Sequence, residues 1–143
     1  MIEYILRDQY GMLEISEDGQ VTHRDISLLG LLNQISYQSL RSVETTLKLT
    51  QKLLQCTHKI PLYINPSILL IQLRTIRSKN PFLLNYFAIA KLLPTKGKGI
   101  TVFFKSGAHV KYDASKPLRR QLELSIIILE SLESNSKNKK VFT

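Results

Sequence analysis

Ile100-Thr101-Val102-Phe103-Phe104-Lys105-Ser106-Gly107-Ala108-His109-Val110-Lys111-Tyr112 runs, after Asp113-Ala114, into Ser115-Lys116-Pro117-Leu118-Arg119-Arg120-Gln121-Leu122, and the change of period between the two decides the fold. Ile100–Phe104 is apolar and rich in β-branched and aromatic residues. Lys105-Ser106-Gly107 is a turn, and the alternation of His109–Tyr112 suits a second strand. Ser115 then offers a helix N-cap, and Pro117 is tolerated in a first turn. Leu118, Leu122, Ile126, Leu129 and Leu132 recur every three or four residues, which predicts an amphipathic C-terminal helix.

Upstream, Tyr86–Leu92 and Ile100–Phe104 flank Pro94-Thr95-Lys96-Gly97-Lys98-Gly99, a connection suited to a β-hairpin with two lysines at its tip. Arg74-Thr75-Ile76-Arg77-Ser78-Lys79-Asn80-Pro81 is polar, cationic and closed by a proline, so it predicts an exposed loop. Leu62–Asn65 and Ile68–Leu73 read as strands joined by an Asn-Pro-Ser turn. Leu40, Val43, Leu47 and Leu54 predict one amphipathic helix over 38–55, with a strand over 45–50 as the competing local reading. Tyr4–Arg7, Met12–Ile15 and the Asp18-Gly19 turn predict an N-terminal β-meander. The expected fold class is α+β: an antiparallel β-sheet with one internal helix and one C-terminal amphipathic helix packed on it.

A chain of 143 residues, 43% hydrophobic and 22% charged, suits a single domain, expected over 1–133. Residues 134–140 are only Ser, Asn and Lys, so 134–143 is expected to be a disordered, polar basic tail. Cys56 is the sole cysteine, which excludes an intrachain disulfide or a thiolate-rich metal site and favours a reducing compartment, the cytoplasm. Residues 1–7 lack the pattern of a secretory signal, and no apolar stretch approaches the roughly twenty residues that span a bilayer.

The charge is +9 and unevenly spread. Residues 1–47 hold seven acids and three bases, 48–120 hold one acid and fourteen bases, and 121–143 hold three of each. Between Glu44 and Asp113 there is no carboxylate, although eleven Lys and Arg fall there. A solvated face normally mixes both signs because unpaired like charges repel, so this segregation predicts a cationic surface for a polyanion. The alternative is that the acidic first third folds back and neutralises it.

Catalytic patterns are weak by comparison. His23, His58 and His109 are too far apart in sequence for a helical metal pair, and Cys56 beside His58 reads as a structural cysteine rather than a nucleophile. Gly97-Lys98-Gly99 lacks the spacing of a phosphate-wrapping P-loop, and no carboxylate pair suggests acid–base chemistry. Neither enzymatic activity nor a cofactor is expected. The pairs Tyr86-Phe87 and Phe103-Phe104 each place one ring on either face of a strand, so one ring of a pair could stack on bases.

Ser36-Tyr37-Gln38-Ser39-Leu40-Arg41, His58-Lys59-Ile60-Pro61-Leu62-Tyr63-Ile64-Asn65-Pro66 and Asn85-Tyr86-Phe87-Ala88-Ile89 together resemble, in order and spacing, the competence transcription factor ComK family. Ile100–Gly107 is similar to that family's strand ending in a polar-Gly turn, and Ser115–Gln121 to its helix start. The likeness spans most of residues 1–132. The chain departs from the family at Leu73-Arg74-Thr75, where an aromatic-Pro-Thr is usual. The resemblance implies a transcriptional activator that binds double-stranded A/T-rich promoter DNA through the minor groove. It also implies control of DNA-uptake genes, homo-oligomers on DNA and turnover through a protease adaptor, while the short apolar runs predict no association with membranes.

On this reading Lys91, Lys96, Lys98 and Lys105 contact phosphates, while Arg74 and Arg77, in a loop shared with Lys79, enter a narrowed A/T-rich minor groove. The rival expectation is a pleckstrin-homology-like module whose cationic loops meet protein or acidic lipid, since a strand-rich body followed by one helix suits that layout too.

Overall fold

A strand that is apolar at both parities needs cover on both sides of its sheet, and Ile68-Leu69-Leu70-Ile71-Gln72-Leu73 is such a strand. The computed structural model describes residues 1–38, 42–55 and 59–141, with backbone alone from 135 onward. The strands are β1 (Ile2–Arg7), β2 (Leu13–Glu17), β3 (Gln20–Arg24), β4 (Leu62–Asn65), β5 (Ile68–Arg74), β6 (Phe82–Asn85), β7 (Ile89–Pro94), β8 (Ile100–Phe104) and β9 (His109–Tyr112). The helices are α1 (Leu28–Tyr37), α2 (Val43–Leu54) and α3 (Ser115–Val141). The architecture is α+β, as the sequence predicts, with the strands in two antiparallel sheets rather than one. Six form the order β3-β2-β1-β6-β5-β4, and β7-β8-β9 form the other.

Alternation sorts the side chains of the large sheet. Ile5, Leu70 and Leu83 face one core with Leu28, Leu31 and Leu32 of α1 and Val43 of α2. Tyr4, Ile71, Leu73, Phe82 and Leu84 face a second core with Ile100, Val102 and Phe104 of β8 and Leu118 of α3. The large sheet thus has α1 and the start of α2 on one side and the small sheet with the start of α3 on the other, while α2 and α3 meet beside Tyr63 of β4.

Asn85 directs the chain from one sheet to the other. It is fully buried, and its amide makes four bonds. Oδ1 accepts from the backbone N–H of Leu69 (3.1 Å) and Phe87 (3.3 Å), while Nδ2 donates to the carbonyls of Ile2 (2.8 Å) and Ser67 (2.9 Å). The bond to Phe87 caps a single 3-10 turn, Tyr86–Ala88, that leads into β7. A second buried link attaches α3. Gln121 accepts from the N–H of Gln72 at 2.9 Å and donates to the carbonyl of Lys59, while Gln72 Nε2 donates to the carbonyl of Ile60 at 2.6 Å.

Several expectations are corrected. There are two internal helices, not one: α1 adds to the predicted pair, with Ser27 as N-cap accepting from Gly30 N–H and Leu28, Leu31 and Leu32 buried. The predicted helix over 38–55 is α2, Val43–Leu54, opened by the Ser42 cap; it is not a strand, and residues 39–41 lie outside the described residues. Of the predicted strand over 86–92, Tyr86–Ala88 form the 3-10 turn that follows β6 and only 89–92 belong to β7, because the bonds of Asn85 bend the chain there. The predicted loop over 74–81 is shorter, since Arg74 belongs to β5.

In α3 the buried stripe is Leu118, Gln121, Ser125 and Ile128, whereas Ile126 and Leu132 are exposed. The two buried polar residues there are satisfied by hydrogen bonds, Ser125 Oγ donating to the carbonyl of Gln121, so polarity misleads about which side faces inward. Residues 134–141, expected within a disordered tail, fall inside the backbone of α3. The layout that suggested a pleckstrin-homology-like module acquires a helical layer on the far side of the large sheet. Among the described residues no helix is long and apolar enough to cross a membrane. Cys56 and His58 lie outside the described residues.

Two consequences are measurable. Asn85→Ala strips partners from four backbone groups, so urea denaturation should show a loss of at least about 3 kcal/mol; a loss under about 1 kcal/mol would reject the role given to this amide. Burial, together with donation from the Tyr4 hydroxyl to Glu14 (2.8 Å), pushes the Tyr4 phenol well above the ordinary tyrosine range. The folded state therefore holds this proton after the unfolded chain has released its own near pH 10, and Tyr4 withdraws stability as pH rises above that value. Urea midpoints at pH 8 and pH 10.5 should fall further for the wild type than for Tyr4→Phe; equal falls would contradict the assignment.

Candidate nucleic-acid interface

The cations of the middle third reach the surface through local geometry that begins in β5. Gln72 pairs with Leu83 but Arg74 with Phe82, so two residues of β5 stand against one step of β6. Regular alternation would send Arg74 to the α1/α2 side with Leu70 and Gln72. The bulge re-aims it to the opposite side, where its guanidinium carbon sits 5.5 Å from the Phe82 ring centre and 5.9 Å from that of Tyr112. The two rings meet edge to face, 5.5 Å apart. Tyr112 is itself held by donation to the carbonyl of Leu73 (3.3 Å). Burial raises the Tyr112 phenol above its ordinary value, and the adjacent Arg74 cation partly offsets this.

Facing Arg74 is the β7–β8 turn. Gly97 has φ of +81°, a region that favours glycine, and Thr95 N–H donates to the carbonyl of Gly99 at 3.0 Å. Ser115 N–H, at the start of α3, donates to the carbonyl of Lys98 at 2.7 Å. A Cβ on Gly99 would run into the Thr95 hydroxyl and lie 3.2 Å from the carbonyl oxygen of Tyr112, so this turn lies close against the end of β9. Lys96 and Lys98 are therefore carried by a pinned support.

Between these parts lies an open cleft of about 650 Å³ into which Arg74, Lys96, Lys98 and Lys111 converge. Asp113 is the one carboxylate residue in its lining. Arg74 Nε is buried and has no hydrogen-bond partner. Lys111 extends the set of cations expected from the sequence. The signal for it was available, because Val110 and Tyr112 pack inward and alternation leaves Lys111 outside.

The outer face of the small sheet carries Lys91, whose Nζ lies 5.0 Å from the centre of the Phe103 ring, and His109, whose ring lies 5.6 Å from Phe103. Phe104 is buried, so the pair splits across the sheet with Phe103 outward. Tyr86 and Phe87 instead meet edge to face in the 3-10 turn and are both half-buried. Lys105 is exposed on the β8–β9 turn, next to Ser106, whose hydroxyl donates to Glu3.

The structure separates Arg74 from Arg77. Arg77 is exposed and lines a different hollow of about 220 Å³ with Leu47 and Gln51 of α2 and with Lys59. Desolvation lowers the Lys59 ammonium below the ordinary lysine range. Lys79 is exposed in the same β5–β6 loop.

Among the described residues, Glu3, Asp8, Glu14 and Asp18 of the acidic first third are engaged away from these cations. Glu3 is buried and accepts from Ser16 (2.8 Å), Gly19 N–H (2.9 Å) and Ser106. Glu14 accepts from Tyr4 and lies 3.2 Å from His23, while Asp8 accepts from the N–H of Tyr10 and Met12. Asp18 pairs with the amino group of Met1. These carboxylates are engaged by neighbours other than the middle-third cations. Among the described residues no three His, Cys, Asp or Glu side chains cluster as metal ligands. No family model, curated protein or solved structure matches this chain.

Proposed function

We propose that this protein is a DNA-binding transcriptional regulator of the ComK kind, gripping A/T-rich promoter duplexes through its cationic surface. The observation that carries this reading is the convergence of Arg74, Lys96, Lys98 and Lys111 on one cleft whose lining includes a single carboxylate residue. Such an excess destabilises the free protein through self-repulsion and is offset when phosphates release their condensed counterions. Lys91 and Lys105 extend the phosphate-contacting set on the small sheet. Arg77 and Lys79, on the exposed β5–β6 loop, are assigned to the minor groove, where A/T tracts concentrate negative potential. Arg74, recessed between two rings, joins the phosphate holders instead. The resemblance to ComK supports homo-oligomers on DNA, control of DNA-uptake genes and turnover through an adaptor, in the cytoplasm and without a cofactor.

Competition binding with A/T-rich and G/C-rich duplexes at two ionic strengths tests the proposal. With about six phosphate contacts, affinity should fall roughly a thousandfold between 50 and 200 mM salt. Arg77→Ala should weaken A/T-rich sites more than random duplex, and Lys96→Ala should weaken both alike. A flat salt response would reject the electrostatic basis, and binding to acidic vesicles with indifference to base composition would favour the lipid-binding module.

A further inference from the structure

We infer that the cleft between the β7–β8 turn and the end of β9 seats one discrete phosphate group, with Arg74 as its fork-shaped ligand. This deepens the preceding reading and rests on it for the identity of the anion. Three observations bear on the seat itself. Arg74 Nε is enclosed and has no protein partner, so the guanidinium keeps hydrogen-bonding capacity that the protein does not use. The guanidinium stands against Phe82 and Tyr112, at 5.5 and 5.9 Å, so two rings restrict it before any ligand arrives and less side-chain freedom remains to be lost. Lys96, Lys98 and Lys111 line the same cleft, the first two on a turn bonded to the start of α3.

The paired N–H donors of a guanidinium match two oxygens of a phosphate, and lysines add charge without directional demand. An ammonium at position 74 could supply the charge but not the paired donors. The phosphate can belong to a polynucleotide backbone or to a free phosphate compound, and both present the same oxygens.

The test follows the Arg74 Nε–H cross-peak of the 15N-labelled full chain at constant ionic strength. One arm adds inorganic phosphate and a second adds a short duplex lacking terminal phosphates. A saturable shift with inorganic phosphate assigns the seat to free phosphate compounds. A shift with the duplex alone assigns it to the backbone, and either result supports the seat. Arg74→Lys and, independently, the exposed Lys111→Ala should each weaken binding of the responding probe at least tenfold, whereas Lys52→Ala on α2 should leave it unchanged. An unmoved cross-peak in both arms, or wild-type affinity in both variants, overturns the proposal. Duplex binding without movement of Arg74 would remove the seat while leaving the DNA-binding reading intact. Phosphate binding without duplex binding would do the reverse.

Discussion

The bonding of one buried amide governs how this chain is laid out. Asn85 holds β1, the β4–β5 turn, β5 and the 3-10 turn together through four backbone partners. An apolar residue at that point would leave donors and acceptors unpaired in a dry interior, a heavier penalty than burying the amide itself. The chain therefore leaves the large sheet after β6 and builds a second one. Arg74 and Phe82 precede that bend, and the rest of the cationic cleft, from the pinned β7–β8 turn to Tyr112, lies downstream of it. The cover that the small sheet gives to Ile71, Leu73 and Leu84 is the apolar side of the same arrangement.

Charge is partitioned by the same topology. The N-terminal meander holds several of the carboxylates and occupies them locally. Glu3 serves the β2–β3 and β8–β9 turns, Glu14 faces Tyr4 and His23, and Asp8 and Asp18 satisfy nearby amines and amides. These bonds stabilise the meander and leave the lysines of the hairpin tips without those counter-charges. The bulge in β5 then adds a cation packed against two aromatic rings. A flexible lysine field thus surrounds a preorganised guanidinium, which is the combination suited to attracting a polyanion at long range and fixing one of its groups at short range.

Much of this organisation was legible in the chain, in places where local chemistry and tertiary demand agree. The Asn-Pro-Ser turn, the β-strand before it and most of the one after it, the lysine-tipped hairpin and the start of α3 follow from turn residues and short-range pattern. Helix α1 is absent from the expected elements although Ser27 and the leucines at 28, 31 and 32 carry the cap and spacing of a helix. The apolar spacing of α3 points to the wrong inward side because Gln121 and Ser125 are buried by hydrogen bonding rather than by apolarity. For the site, the basic content of the hairpin tip was evident, but Arg74 and Arg77 looked like one loop pair. They part because Arg74 still belongs to the bulged strand, while Arg77 lies beyond it near α2.

By itself, the order of residues determined the α+β class, the strand and turn positions governed by glycine, proline and asparagine, and the existence of a long stretch of cations without carboxylates. Those properties depend on neighbours a few positions apart and on composition. Only the tertiary structure decided that there are two sheets, that Phe82 and Tyr112 meet around Arg74, and that Lys96, Lys98 and Lys111 share a cleft. Those contacts join residues eight to nearly forty positions apart, and their geometry is set by a bulge, a buried amide and the cover each face of a sheet requires, none of which acts until distant segments pack.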